Sequence, residues 1–146
     1  MLRRKVKVDF SLWRCYLIND SSAEGAEKMT RRELIELCLT YPGSYEDYPF
    51  DDYTNRSGGG TSWTVMRHRG NKKSFALIFE RGGLCINLKC EPMRADFLRG
   101  ALPGVEPGYH MNKAHWNTVR PDLVSRADLE AMIEDSFELT KPKTRK

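Results

Sequence analysis

The sequence predicts an α+β domain in which an antiparallel β-sheet meander is packed on one face by N-terminal, middle and C-terminal helices. Three observations carry this prediction. Thr30-Arg31-Arg32-Glu33 has the form of a capping box ahead of apolar residues at helical spacing. Three apolar runs between Thr61 and Lys89 are divided by glycine-bearing turns. Ser125 heads a final amphipathic stretch.

In the first element, the Thr30 hydroxyl can accept from the amide of Glu33, whose carboxylate can reach back to the amide of Thr30. Leu34, Ile35, Leu37, Cys38 and Tyr41 then recur at helical intervals until Pro42-Gly43 stops them, which predicts a helix over 31–40. Residues 43–60 are too long and too punctuated for one element, and Arg56–Gly60 reads as a flexible linker. Thr61–His68 reads as a strand, with a turn at Arg69–Lys72 built on Gly70. Lys73–Phe79 follows, with Phe75, Leu77 and Phe79 on one face and Ser74, Ala76 and Ile78 on the other. After Arg81-Gly82-Gly83, the run Leu84–Lys89 turns Leu84, Ile86 and Leu88 one way and Cys85, Asn87 and Lys89 the other. One sheet face is therefore expected to make core and the other to be partly polar.

Pro92 suits the first turn of a helix reaching Arg99, with Phe97 and Leu98 as its apolar side and Leu102 extending it. Ala101–Gly108 reads as a Pro/Gly-rich loop and His115–Val119 as a fourth strand. Ser125 caps the last helix, with Asp128 in the capping-box position and Leu129, Met132, Ile133, Ser136 and Phe137 on one face.

A chain of 146 residues, 40% hydrophobic and 30% charged, fits one soluble domain, read as residues 29–140. No apolar run approaches the ~20 residues that cross a bilayer. The four scattered cysteines lack the density of a disulfide scaffold, so a reduced, cytoplasmic monomer is expected. Residues 1–28 open on a basic stretch, but Asp9 and Arg14 interrupt the apolar run that follows, against an export signal. They read as a poorly packed extension or as the product of an upstream start codon, with Met29 the favoured beginning. Residues 141–146 read as a solvated basic tail.

Charge is unevenly spread. Residues 61–120 hold ten basic and four acidic groups, whereas 29–60 net −3 and 121–140 net −5. A basic centre between acidic flanks fits an anionic partner meeting one face, and solvated strands that happen to carry Lys and Arg fit it equally well.

Motifs for chemistry are sparse. Cys85, Cys90, His110 and His115 suggest zinc, but a separation of five sets the two cysteines on opposite strand faces, and the gap to His110 departs from finger spacing. There is no GxSxG elbow, and Ser57-Gly58-Gly59-Gly60 lacks the Lys-Ser/Thr pair of a phosphate loop. The unusual segment is Pro107–Val119, which crowds His110, His115, Lys113, Asn112, Asn117, Tyr109 and Trp116 between turn residues. Such a mixture of rings and hydrogen-bonding groups makes a recognition surface; it can equally serve a loop that needs internal partners.

Read together, Tyr41-Pro42-Gly43, Tyr48-Pro49-Phe50, the Ile86–Pro92 strand-to-helix join, the Pro107–Val119 segment and Asp135–Leu139 resemble the MmcQ/YjbR family of small bacterial proteins. The resemblance runs from about Met29 to Thr140; the Ser/Gly loop and the N-terminal extension depart from it. It implies the α+β double wing of the phage transcription factor MotA C-terminal domain, grouped with CyaY-like (frataxin-like) folds. It implies also a non-enzymatic binding module for double-stranded DNA, without a cofactor. Arg67, Arg69, Lys72, Lys89 and Lys113 are then the expected phosphate contacts. His110, Asn112, His115 and Asn117 are expected to hydrogen-bond nucleic acid, with Trp116 as scaffold or contact. A protein–protein or small-ligand module of the same fold is the alternative, its acidic last helix (Glu130, Glu134, Asp135, Glu138) offering a surface. A third reading assigns acid–base work to His110, Lys113 and His115.

Overall fold

Thr30 caps the first helix as its spacing from Glu33 requires: its hydroxyl accepts from the Glu33 amide at 3.1 Å and the Glu33 carboxylate accepts from the Thr30 amide at 2.9 Å. This computed structural model describes residues 28–50 and 63–143. The expectations for residues 1–27, the Arg56–Gly60 linker, Thr61-Ser62 and residues 144–146 lie outside the described residues.

Within these bounds the elements are α1 (Arg31–Leu39), β1 (Ser44–Asp47), β2 (Thr64–His68), β3 (Ser74–Glu80), β4 (Leu84–Lys89), α2 (Pro92–Ala101), β5 (Val105–Pro107), β6 (Trp116–Val119), a 3-10 turn at Pro121–Leu123, and α3 (Arg126–Thr140). The strands form one antiparallel sheet in the order β1-β2-β3-β4-β6-β5. The α+β class and the meander of β2 to β4 agree with the sequence reading. Two strands do not appear in that reading: β1 lies in the segment read as irregular, and β5 in the loop read as Pro/Gly-rich. The expected fourth strand begins at Trp116, because His115 is held in a turn by its amide bond to Asn112 O.

The helices cover one face. Met66, Ala76, Ile78, Ile86, Leu88 and Val119 point into the core with Leu34 of α1, Leu98 of α2 and Ile133 of α3. In α2 the apolar side is Ala95, Leu98 and Leu102, while Phe97 is 42% exposed. Adjacent helical residues diverge by about 100°, so Phe97 and Leu98 cannot both face the sheet.

Two features correct the expected one-sided sheet. Val65, Leu77, Phe79, Asn87 and Thr118, which face away from the helices, are also buried. Rings from outside the strands lie over them, as described below. Phe75 does not share a face with Leu77 and Phe79. Met66 pairs with Ala76 but Arg67 with Ser74, so Phe75 is the extra residue of a bulge. The bulge turns its ring toward α3, 5.1 Å from Phe137 and 5.2 Å from His68, which is what an inserted residue does to a strand.

Candidate functional site

The chain leaving β5 folds back over the face opposite the helices. Gly108 makes this possible: its amide donates to Trp116 O at 2.9 Å, and a Cβ there would lie 2.8 Å from Trp116 Cβ and 2.9 Å from Trp116 O. Tyr109 is then fixed by two polar partners that also bond each other. Its amide donates to Thr118 Oγ1 (2.8 Å), its carbonyl accepts from Asn87 Nδ2 (2.9 Å), and the Thr118 hydroxyl donates to Asn87 Oδ1 (2.5 Å). Both side chains are buried, so this pairing satisfies groups that would otherwise be costly to enclose.

Thus held, the Tyr109 ring enters an aromatic cluster. Trp63 stacks on Phe79 with centroids 4.2 Å apart; Tyr109 lies 5.6 Å from Phe79 and 4.0 Å from His110. The Arg81 guanidinium sits 4.3 Å over the Tyr109 ring, within cation–π range. His110 is exposed and adopts φ 63°, a left-handed conformation that a non-glycine residue takes only when its neighbours impose it.

The far side of the loop is anchored by Arg99 of α2. Its Nε donates to Asn117 Oδ1 at 2.7 Å and its Nη2 to the carbonyls of Lys113 and Trp116. Asn117 also donates to Ala95 O at 3.3 Å and is 1% exposed. The expectation that Asn117 meets a ligand is therefore corrected. In the β6 register it falls on the helix-covered face beside Leu88, where its amide ties the loop to α2.

The remaining candidates divide by position. Asn112 is exposed, and its Oδ1 accepts from the Ala114 amide at 2.9 Å; Lys113 is exposed and its Nζ donates to Gly108 O at 2.9 Å. His115 is exposed and Trp116 half-buried. Arg67 pairs with Asp47 at 2.7 Å and donates to Lys72 O at 3.0 Å. Arg69 lies over the Tyr45 ring at 5.2 Å, Lys72 is exposed at φ 62°, and Lys89 is half-buried. The His110 ring packs against Trp63 and Tyr109, whereas Lys113 Nζ is spent on the Gly108 carbonyl.

Register brings distant parts of the sequence to one end of the sheet. The β2–β3 turn, the C-terminal end of β4 and the N-terminal end of β6 all lie there, because the pairing is antiparallel throughout. Arg69, Lys72, Lys73, Lys89, Lys113 and His115 consequently share one end, with β3 and β6 two strand spacings, or about 10 Å, apart. Glu91, after β4, stands at the same end.

Cys85 belongs to the loop-covered face and Cys90 to the helix-covered core. Burial pushes the Cys90 thiol up to about 12 and Cys38 likewise to about 12. Among the described residues no group of three or more His, Cys, Asp or Glu side chains could hold a metal ion. Nor, among them, is any helix long and apolar enough to cross a membrane.

Sequence reasoning missed Trp63, Phe79, Arg81, Arg99 and Thr118 as parts of this arrangement. Period-two alternation does place Trp63 on the face of Val65 and Arg67. Its stacking on Phe79 depends on cross-strand register, which spacing along one strand does not contain.

The YjbR family profile matches residues 39–139. The Bacillus subtilis (strain 168) "Uncharacterized protein YyaQ" is 34% identical over 128 residues, spanning 77% of this chain and 99% of that protein. The chain belongs to the MmcQ/YjbR family. The Escherichia coli (strain K12) "Uncharacterized protein YjbR" is 30% identical over 95 residues, 64% of this chain and 71% of that one. A Deinococcus radiodurans crystal structure superimposes with a TM-score of 0.63 at 32% identity, covering 77% of this chain and 78% of the other. A Pseudomonas syringae crystal structure gives 0.64 at 30% identity, covering 77% and 99%. The MmcQ/YjbR match contains the whole Gly108–Trp116 loop and its Asn87, Arg99 and Thr118 supports.

Proposed function

We propose that this MmcQ/YjbR chain is a non-enzymatic binding module that contacts the phosphates of double-stranded DNA in the cytoplasm. The observation that supports it is the gathering, by strand register, of Arg69, Lys72, Lys73, Lys89 and Lys113 at one end of the sheet. Lysines from three separate stretches of sequence, Lys72-Lys73, Lys89 and Lys113, come to that end beside the exposed His115. Long flexible cations of this kind suit a phosphate backbone more than a single small anion, for which a closed pocket would serve better. A double-wing sheet presenting its loops to a duplex is consistent with this placement.

The test is a duplex-binding titration across salt concentration. Affinity should fall steeply with salt, by about 0.9 in log K per log salt for each phosphate contact. Lys72→Ala and Lys113→Ala should each flatten that slope by about one contact while leaving the fold intact. No duplex binding at low salt overturns the reading.

A second reading has its own observation. The half-buried rings of Trp63 and Tyr109, with Arg81 over Tyr109 and the exposed His110 beside it, offer aromatic surface on a polar frame, as protein and small-ligand surfaces do. A nuclease-insensitive partner lost on His110→Ala and Trp63→Ala would favour it.

A further inference from the structure

Helix α3 does not release the chain at its C-terminus. Thr140 Oγ1 donates to Ser136 O at 2.9 Å and lies 2.7 Å from His68 Nε2, which can donate to it; Thr140 O accepts from Asn71 Nδ2 at 2.9 Å. Thr140 is 5% exposed and His68 2% exposed, so the end of the helix is buried against the β2–β3 turn. The next residues continue over that turn. A Cβ at Gly70 would lie 2.6 Å from Pro142 Cγ, so Pro142 can occupy its place only because position 70 carries no side chain. Gly70 has no positive φ to require glycine; the requirement comes from the segment packed on it.

The two segments so joined carry the same charge. The turn brings Arg69, Lys72 and Lys73, and the C-terminal segment brings Lys141 and Lys143. Only Lys141 has a carboxylate partner, Glu138 at 2.7 Å, a surface pair that an incoming phosphate can displace. Arg69, Lys72, Lys73 and Lys143 pair with no carboxylate among the described residues. Glu134 and Glu138 line the same groove as Arg69 and Lys141 and offset part of this charge, while the exposed Lys72, Lys73 and Lys143 keep a surplus that an anion can meet. The hydrogen bonds from His68 and Asn71 fix the two segments together. Lys141 and Pro142 also lie beyond the region matched by the family profile, which ends at residue 139.

We propose that the segment Lys141–Lys143, pinned to the β2–β3 turn by Thr140 and Pro142, completes a single preorganised surface for consecutive phosphates of duplex DNA. This rests on the nucleic-acid reading above and extends it to a strip that approaches the duplex from the α3 side of the sheet. Pinning matters because a segment already held in place loses less freedom on binding. Gly70 and Asn71 are positioning residues in this scheme, and the cations make the contacts.

The experiment uses the full chain and a mixed-sequence duplex of about 20 base pairs, titrated by fluorescence anisotropy over a range of salt. Lys141→Ser combined with Lys143→Ser should flatten the log K against log salt slope by about 1.8, two contacts' worth. Gly70→Ala keeps every charge but displaces Pro142, and Asn71→Ala keeps every charge but frees the Thr140 carbonyl. Both should weaken low-salt binding while thermal melting shows a folded protein; Asn71→Ala supplies the reading if Gly70→Ala fails to fold. An unchanged slope in the double lysine variant, with the full chain binding, overturns the inference and leaves the nucleic-acid reading standing. A flattened slope in that variant together with wild-type binding by the folded positioning variants overturns the pinning. Absence of binding by the unaltered chain at low salt overturns the nucleic-acid reading itself.

Discussion

Replacing Asn87 by alanine tests whether the recognition loop is held by the buried network or merely rests on the sheet. The side chain makes two hydrogen bonds, donating to Tyr109 O and accepting from Thr118 Oγ1, and it is fully buried. Alanine leaves the Tyr109 carbonyl and the Thr118 hydroxyl without these partners. A buried group deprived of its partner costs about 1–3 kcal/mol, so two of them give about 2–6 kcal/mol, toward the lower figure if water enters the vacated space. At about 4 °C per kcal/mol for a domain of this size, the melting temperature should drop by roughly 8 °C or more. Thr118→Val removes the shared Asn87–Thr118 bond together with the acceptor of the Tyr109 amide. The double substitution should therefore cost less than the sum of the singles, by about 1 kcal/mol. Urea unfolding of the four proteins, with m-values compared, gives the cycle. A cost below about 1 kcal/mol for Asn87→Ala at unchanged m, or strict additivity, would refute the network as the loop's anchor.

Two further outcomes follow from the geometry. Gly108→Ala sets a Cβ within 3.0 Å of the Trp116 backbone, which cannot rotate away, and should destabilise by about 1–3 kcal/mol in thermal unfolding. His68 is held below its ordinary value by burial, with Lys141 pushing the same way and Glu138 opposing. A depressed histidine lends stability that is present above the ordinary value near 6.5 and lost as pH falls through the lowered one. Urea midpoints should fall between pH 7.5 and 5.5, and His68→Gln should flatten that fall; equal slopes for the two proteins would exclude His68 as its source.

The parts legible in the sequence are those specified locally. Thr30 and Glu33 set the start of α1 by their spacing alone, and Ser125 does the same for α3, where its hydroxyl accepts from the Asp128 amide at 3.0 Å. Strands β3 and β4 showed because central strands must be apolar along their length. Strands β1 and β5 have four and three residues and lie at the two edges of the sheet, where a side chain can be polar or proline without penalty, so no alternation marks them. The site was half legible. The segment Pro107–Val119 is conspicuous by composition, yet nothing in its order tells that Asn117 turns toward α2 while His110 turns outward. That division is fixed by Arg99 and by the Asn87–Thr118 pair, partners that lie 18 and 31 residues from their counterparts. Phe75 was misplaced for a similar reason: a bulge belongs to a pair of strands, and one strand read alone keeps strict alternation.

The two edge strands have a consequence for how these molecules meet one another. A free strand edge is a template on which another chain can add by backbone pairing. At one edge of this sheet the outward positions are Val105 and Pro107: Pro107 has no amide to offer and the Val105 amide is already given to Leu102 O at 3.1 Å, while Glu106, in phase with Gly104 and Gly108, turns its amide to β6. At the other, β1 carries Glu46 and Asp47 side by side. The Tyr48 hydroxyl and Arg32 hold Glu46 below the usual carboxylate range, so this edge keeps its charge even in mildly acidic solution. A sheet closed off in this way can crowd together at high concentration without zipping into a longer one, and weakening either guard, by Pro107→Val or by neutralising Glu46 and Asp47, would open a route to aggregation that the native chain lacks.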